Sequence, residues 1–496
     1  MDFTEENFNK LLEKIQSQEV EIRLLQQKLQ YLLNQHFGSK SEKIDLNQLV
    51  LDLGIDDVEV GAPEAVLEVE EVSCARKKNK RKKLIERLPA DLPIEEVVIE
   101  PEVVLANPAL YKRIGEEILD ELDLIPAKFF IRRIIRPKYV MIDDRSLPPV
   151  IALAPKRIID NSYASAGLLA YIILSKYSDH LPLYRLEQIF KSRYGVEISR
   201  KTMSDWMYRV SQMLAQIYEA IREELRAVDY LQIDETPVSY QNPGNGRCSK
   251  GYLWVYLAPE KAVLFEWHTS RASNCLNEML HDYAGVVQSD GYSAYNAFLK
   301  NNPAAAIELA ACWAHARRKF YDARNESAFA AQIVQEIGQL YHIESQLRKD
   351  QNLNRQTVRQ EQSVPILNRI EEMLRSEQSK HLPKSLTSTA INYTLTLWKK
   401  LNVYTQHSKV EIDNNLVENS IRPTAIGKKN WLFFGSASAG QNSAVLYSLI
   451  ETCRKLKINS QDYLRDVLTA LPTMTNHTAK NYTPAKWKET CDKRQG

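Results

Sequence analysis

The sequence is poor in the features that mark secreted, membrane-bound or metal-stapled chains. Its 496 residues contain six cysteines, Cys74, Cys248, Cys275, Cys312, Cys453 and Cys491, and none forms a Cys-x-x-Cys pair. That spacing excludes a disulfide framework and an ordinary zinc finger, and fits reduced thiols. No apolar run approaches the ~20 residues of a membrane span, and the acidic, polar start MDFTEENFNK does not read as a signal peptide. A cytoplasmic protein with no membrane partner is expected. An excess of one charge is also missing, since 65 Lys and Arg against 63 Asp and Glu leave only +2. Hydrophobic content of 44% and charged content of 26% are ordinary for a soluble globular chain. The length suits about three or four domains.

The charge is balanced only in total. Asp52, Asp56, Asp57, Glu59, Glu64, Glu68, Glu70 and Glu71 run straight into the basic RKKNKRKK, Arg76 to Lys83. That basic run reads either as a solvated linker or as an arm that contacts phosphates through Lys77, Lys78, Arg81 and Lys82. Before it, Leu11, Ile15, Ile22, Leu25, Leu29 and Leu32 fall at a and d positions of a heptad, with Gln18 out of pattern. A zipper-like coiled-coil helix is expected over residues 1–45, with a helix packed on its own chain as the alternative. Residues 46–87 lack periodicity and read as a charged connector.

Residues 88–155 alternate short apolar stretches with prolines, which predicts a small β-rich module made basic by Arg132, Arg133, Arg136 and Lys138. Residues 160–226 turn helical. An amphipathic helix, a turn at Gly195 and a second helix capped by Ser199 have the shape of a helix-turn-helix, whose second helix would offer Arg200, Lys201, Thr202 and Ser204 to DNA. A plain helical hairpin gives the same pattern.

Residues 227–435 carry the chemistry. Three strand-like runs (YLQIDETPVSY, YLWVYLAP, AVLFEWH) precede a helix, the strand GVVQSD, a helix from Tyr292 and the strand IELAACW. That order is the order of the α/β ribonuclease H-like fold. Asp234 falls on the first strand and Asp290 at the end of the fourth, which lie side by side in that fold. A carboxylate in a buried strand costs several kcal/mol if unpaired, and a metal ion explains the exception. Carboxylates converging from two strands and a helix form the hard oxygen site that Mg²⁺ or Mn²⁺ prefers. The third, Glu418, follows a long helical insertion at about 326–408, in the segment DNNLVENSIRP, where Asp413 or Asn414 can cap its helix. Asn415 and Arg422 share its helix face. Residues 436–496 read as a C-terminal helical tail.

The segments HFGSKSEKID, RIGEEILDELDLIPAKFFIRRIIRPKY, LLAYIILSKYSDHLPLYRLEQIF, IDETPV, QSDGYSAYN, CWAHARRKF, NNLVENSIRP and the tail from IGKKNWLFFGS resemble, in joint order, the transposases of the insertion sequence 66 family, bacterial members of the DDE group. The resemblance spans nearly the whole chain. It implies a catalytic, metal-binding triad of Asp234, Asp290 and Glu418. It also implies two Mg²⁺ ions, with Mn²⁺ as substitute, and DNA strand cleavage and transfer at terminal inverted repeats into target DNA. Double-stranded DNA, a homo-oligomer that brings two ends together, and two small accessory proteins encoded nearby are the implied partners, at the nucleoid. Cys312 and His315 resemble the Cys-x-x-His of several DDE groups, the alternative being a packed thiol and an imidazole with a polar partner. Arg317, Arg318 and Lys319 beside them, with Arg422, read as phosphate contacts or as a solvated face. Many relatives carry a zinc module built from two cysteine pairs. This chain has no cysteine between Cys74 and Cys248, and Met141 follows RPKYV, so no zinc is expected. A nuclease of the same fold, or a transposase relic acting as a DNA-binding regulator, are the other readings.

Overall fold

The computed structural model describes residues 155–495 except 243–246 and 351, together with residues 14, 18, 128–136, 138–139 and 150–151. The chain divides into two compact units, Met1–Val58 with Arg136–Gly496, and Glu59–Ile135. In the second unit, residues 128–135 have no regular secondary structure, and Phe130, Ile131, Ile134 and Ile135 are exposed. The Leu11 to Leu32 seam and the basic run with Lys77, Lys78, Arg81 and Lys82 lie outside the described residues. So does most of the 88–155 module, of which Lys138–Tyr139 pairs antiparallel with Val150–Ile151 in the first unit.

The first unit is built on a five-stranded mixed sheet: β1 (Tyr230–Gln241), β2 (Cys248–Ala258), β3 (Ala262–His268), β4 (Gly285–Ser289) and β5 (Ile307–Ala311), in the order β3-β2-β1-β4-β5. The first three strands pair antiparallel, and β4 joins β1 and β5 in parallel. From Leu253 through Ala258, and again along Ala262–Trp267, every residue is buried. Burial of every position, with Glu266 the one charged residue among them, suits strands covered on both faces.

Twelve main helices surround the sheet. Three precede it: α1 (Ala166–Tyr177), α2 (Leu183–Tyr194) and α3 (Arg200–Arg226). α4 (Ser293–Asn301) links β4 to β5, and α5 (Trp313–Ala323), α6 (Ala328–Lys349), α7 (Val364–Glu377) and α8 (Leu386–Thr396) form the insertion. α9 (Asn415–Trp431), α10 (Ala437–Lys455), α11 (Ser460–Ala470) and α12 (Pro484–Gln495) complete the chain. None of the described helices is long and apolar enough to cross a membrane.

α2 stops at Gly195, whose φ of 65° is left-handed, and Ser199 Oγ caps α3 by accepting the Thr202 N–H at 3.1 Å. α3 runs 27 residues and buries Trp206, Val210, Leu214, Ile217 and Ile221 along one stripe against β3 and α10. Tyr218 fixes it by donating its hydroxyl to Phe265 O at 2.8 Å. The second helix of the expected helix-turn-helix thus packs one stripe on the core, while Arg200, Lys201, Ser204, Asp205, Tyr208 and Arg209 at its start face solvent.

The insertion has its own apolar cluster, with Phe320, Ile333, Ile337, Leu340, Leu367, Ile370 and Leu374 buried together. Arg359 is fully buried, a costly placement unless every donor is met. Four of its five N–H groups are met: Glu344 accepts two bonds at 2.7 Å, and Tyr404 O and His407 O accept at 2.8 and 2.9 Å.

β3 is an edge strand, and α10 covers it with hydroxyls. Ser448 Oγ accepts the Phe265 N–H at 2.8 Å, while Thr452 Oγ1 accepts the Val263 N–H and donates to Val263 O, both at 3.0 Å. Two residues four apart on a helix therefore satisfy backbone groups that would otherwise wait for another strand. Trp267 closes the same contact. A Cβ at Gly251 or Gly440 would lie 2.3 Å from its ring, so neither position has room for a side chain.

Candidate active site

The parallel pairing of β1 with β4 sets Gln232 opposite Gln288. Two residues further along stand Asp234, within β1, and Asp290, just past the end of β4, so the two carboxylates lie at matching levels of adjacent strands. Period-two alternation puts each aspartate on the same face as its glutamine.

Asp234 is partly exposed, and its Oδ1 accepts the Glu235 N–H at 2.8 Å. Burial raises its carboxyl well above the usual range, and the negative charges of Glu235, Glu418 and Asp290 raise it further. Asp290 begins a turn in which its Oδ1 accepts the Tyr292 N–H at 2.8 Å. Gly291 makes the turn possible at φ 87°, where a Cβ would run into Leu397. The Asp290 carbonyl accepts the hydroxyl of Tyr393 at 2.7 Å, which ties the turn to α8 of the insertion.

Glu418 lies in the first turn of α9, where the helix dipole favours an anion. Its Oε1 is 3.7 Å from Nε2 of His315 on α5. Cys312 is fully buried, its thiol is pushed far up by that burial, and its Sγ accepts the Asn414 N–H at 3.4 Å. The thiol is thus an anchor for the loop before α9, and His315 is the member of the pair that reaches a carboxylate. Among the described residues, no three His, Cys, Asp or Glu side chains stand in ligating geometry. Asp234 lies within the charge of both Asp290 and Glu418, while the three carboxylates do not share a point.

Asp413 takes the capping part, its Oδ1 accepting the Asn415 N–H at 3.1 Å; Asn414 makes no side-chain cap. Buried among these groups, the Asp413 carboxyl is pushed up to about 6.

Comparison with known proteins fits this arrangement. Residues 161–442 match the family model described as Transposase IS66 family, and residues 448–483 match the IS66 C-terminal element. The chain belongs to the IS66 transposase family. Residues 24–97 match the model described as Transposase C of IS166 homeodomain, across the boundary expected between the zipper helix and the connector. The uncharacterized protein y4qI of Sinorhizobium fredii is 34% identical over 461 residues, covering 89% of this chain and 85% of its own. The uncharacterized protein y4jD of the same organism is 32% identical over 488 residues, 94% of each chain.

In this IS66-family transposase, sequence reasoning missed the polar network under the carboxylates. Gln232 Nε2 donates to Asp413 O at 2.8 Å, and Gln232 Oε1 accepts the Val417 N–H at 3.1 Å. Gln288 Nε2 donates to Glu411 O at 2.7 Å, and Tyr230 bonds both glutamines. Both glutamines are fully buried. A second missed feature is Glu235, a buried carboxylate ion-paired to Arg271, whose guanidinium stacks 3.8 Å above the Tyr292 ring. The only advance signal was polar residues at inward-facing strand positions.

The basic residues are dispersed. Arg317, Arg318 and Lys319 are partly buried on α5, with the Lys319 ammonium 4.6 Å from the Tyr393 ring. Arg422 is partly buried one turn beyond Glu418 on α9. Arg200 is held on α2, its guanidinium 5.9 Å from the Tyr184 ring and its N–H donating to Glu187. Lys201 is exposed beside it.

Proposed function

We propose that the chain cleaves DNA at the ends of its insertion sequence and joins them to target DNA through Asp234, Asp290 and Glu418. The observation that carries this reading is the register of β1 with β4, which sends two aspartates off adjacent parallel strands. The charge felt by Asp234 from both Asp290 and Glu418 supports it. The strand order β3-β2-β1-β4-β5, three antiparallel and two parallel, supports a ribonuclease H-like core with an inserted helical subdomain.

The donor set fits a hard divalent cation, Mg²⁺ with Mn²⁺ as substitute, in a two-ion site. Burial, and after it the repulsion from neighbouring carboxylates, drives Asp234 toward its neutral form, and a bound cation's charge opposes both. When bound, the metal supplies Lewis-acid activation of water or a terminal 3′-hydroxyl and neutralises the leaving oxygen. The chain's own residues do the positioning. Asp234 offers oxygens from within β1, Asp290 from just past the end of β4, and Glu418 brings a third from the start of α9. His315 orients the Glu418 carboxylate, and Arg317, Arg318, Lys319 and Arg422 contact phosphates beside the reacting bond. Binding at terminal inverted repeats, a homo-oligomer that pairs two ends, two small accessory proteins and a place at the nucleoid complete the reading.

Asp234→Ala, Asp290→Ala and Glu418→Ala are each expected to abolish Mg²⁺-dependent strand transfer and leave DNA binding intact. Near-normal transfer by any one of them removes that residue from the site. Products of the wild-type reaction separate the alternatives: joined ends mark a transposase, cut ends alone a nuclease, and bound but intact DNA a regulator.

A further inference from the structure

The far end of the helix that carries Glu418 holds a strained backbone position. Leu432 has φ 67° and ψ −50°, and Phe433 N–H donates to Trp431 O at 2.8 Å across it. This is the γ-turn of positive φ, a rare conformation for any residue with a side chain. Strain of this kind persists only where neighbours impose it, and here both flanks are fixed. Trp431 and Phe434 stack at 4.8 Å, and Phe434 pairs with the end of β1 through Ser239 O and the Gln241 N–H, both at 2.9 Å. The rigid mount pushes Leu432 outward, 65% exposed, with Phe433 beside it 37% exposed.

The surroundings are cationic. Lys428, one turn back, donates to Thr236 Oγ1 and Pro237 O at 3.1 Å; Thr236 is two residues beyond Asp234. Its ammonium is lowered by burial and then by the positive charges of Lys429 and Lys250. An apolar tip with Lys428 and Lys429 in the turn before it, and Lys250 opposite Ser239 on the strand that Phe434 joins, suits a polyanion with an apolar interior, which describes a DNA duplex. Apolar side chains pushed between base steps unstack them and kink the helix.

We propose that Leu432 is a wedge that opens a base step of the DNA held at the three carboxylates, with Lys250, Lys428 and Lys429 on the flanking phosphates. This rests on the reading of the chain as a DNA transposase. At 1.5 Å per residue, α9 sets Leu432 about 21 Å from Glu418, which is about six base-pair steps along a duplex.

Leu432→Gly tests it, because glycine accepts positive φ and removes the tip while relieving the strain. The full chain is mixed with a duplex carrying the insertion-sequence end, with 2-aminopurine moved one base pair at a time from the cleavage position. Wild type should raise the fluorescence several-fold at one step on the order of six pairs away. Leu432→Gly should lose that rise while unfolding no lower than wild type and keeping the salt dependence of binding, and Leu432→Met should show the rise. Equal fluorescence in wild type and Leu432→Gly overturns the wedge and leaves the transposase reading standing. A lowered unfolding temperature for Leu432→Gly, or loss of self-association with the DNA signal intact, overturns it too, since Leu432 then packs on protein. Wild type that shows no DNA binding at all defeats both readings.

Discussion

Gln232 accepts the N–H of Val417 through its side-chain oxygen at 3.1 Å. The strand two residues before Asp234 is thereby bonded to the chain one residue before Glu418. The same amide group donates to Asp413 O, so a single buried side chain holds both the strand and the loop that starts α9.

Gln232→Leu keeps the volume and removes both bonds. A buried polar group left without its partner costs about 1–3 kcal/mol, so the unfolding midpoint should fall. Loss of such an outer partner typically weakens metal binding about 10- to 100-fold. Calorimetric titration with Mn²⁺ and hydrogen exchange at Val417 provide the check. A folded variant with wild-type Mn²⁺ affinity would show that the clamp serves stability alone.

Asp234 should weaken the metal-free fold at neutral pH. Its carboxyl is raised above the ordinary 3.8, so the stability it contributes is present below pH 3.8 and is lost as pH rises through the raised value. In EDTA at about pH 7, Asp234→Asn is expected to melt above wild type. Added Mg²⁺ should then raise the melting temperature of wild type and not of the variant. Differential scanning calorimetry with and without Mg²⁺ decides the matter, and a variant melting below wild type in EDTA refutes it.

Asp413 gives a second, separable pH signal. With its carboxyl pushed from 3.8 up to about 6, its contribution is complete below 3.8 and disappears as pH passes through about 6. Asp413→Asn keeps an acceptor for the Asn415 N–H and no longer titrates. Urea unfolding across that window should show wild type losing stability relative to the variant as pH rises. Parallel curves would mean that Asp413 is ionised throughout.

The basic segments should act in two different ways. Neutralising Lys77, Lys78, Lys80, Arg81, Lys82 and Lys83 is expected to weaken binding to every sequence and to flatten its salt dependence, by roughly 0.9 in slope for each phosphate that no longer meets a cation. Changing Arg200 and Lys201 should lower the preference for the terminal repeats. Binding titrations on repeat and random duplexes at several salt concentrations compare the two. Equal losses on both duplexes from both sets would mean that the first turn of α3 reads no sequence.

Much of the sheet is legible in the sequence because its strands are bounded by strong turn signals. YLQIDETPVSY, YLWVYLAP and AVLFEWH coincide with β1, β2 and β3, and GVVQSD with β4. Asp234 and Asp290 stand out because a carboxylate is out of place in an apolar run. Gln232 and Gln288 do not stand out, since a polar residue in a strand ordinarily faces water. Their partners Asp413 and Glu411 lie 181 and 123 residues away, beyond any local pattern. α3 reads as a recognition helix from its turn and cap alone. The stripe that fixes it to β3 and α10 is equally consistent with either use until the sheet is present. The strain at Leu432 has no signature at all, because it is imposed by Phe434 pairing with the end of β1.

The hydroxyls of Ser448 and Thr452 also set a timetable for synthesis. Val263 and Thr452 are 189 residues apart. At ribosomal speeds of about 5–20 residues per second, β3 therefore stands uncovered for about 10 to 40 s after it emerges. An uncovered strand edge recruits other chains. Glu418 leaves the ribosome before α10 does, so the third carboxylate is made while the β3 edge still waits for its cover. A chain cut short before α10 would therefore keep the backbone groups of Val263 and Phe265 open to other chains.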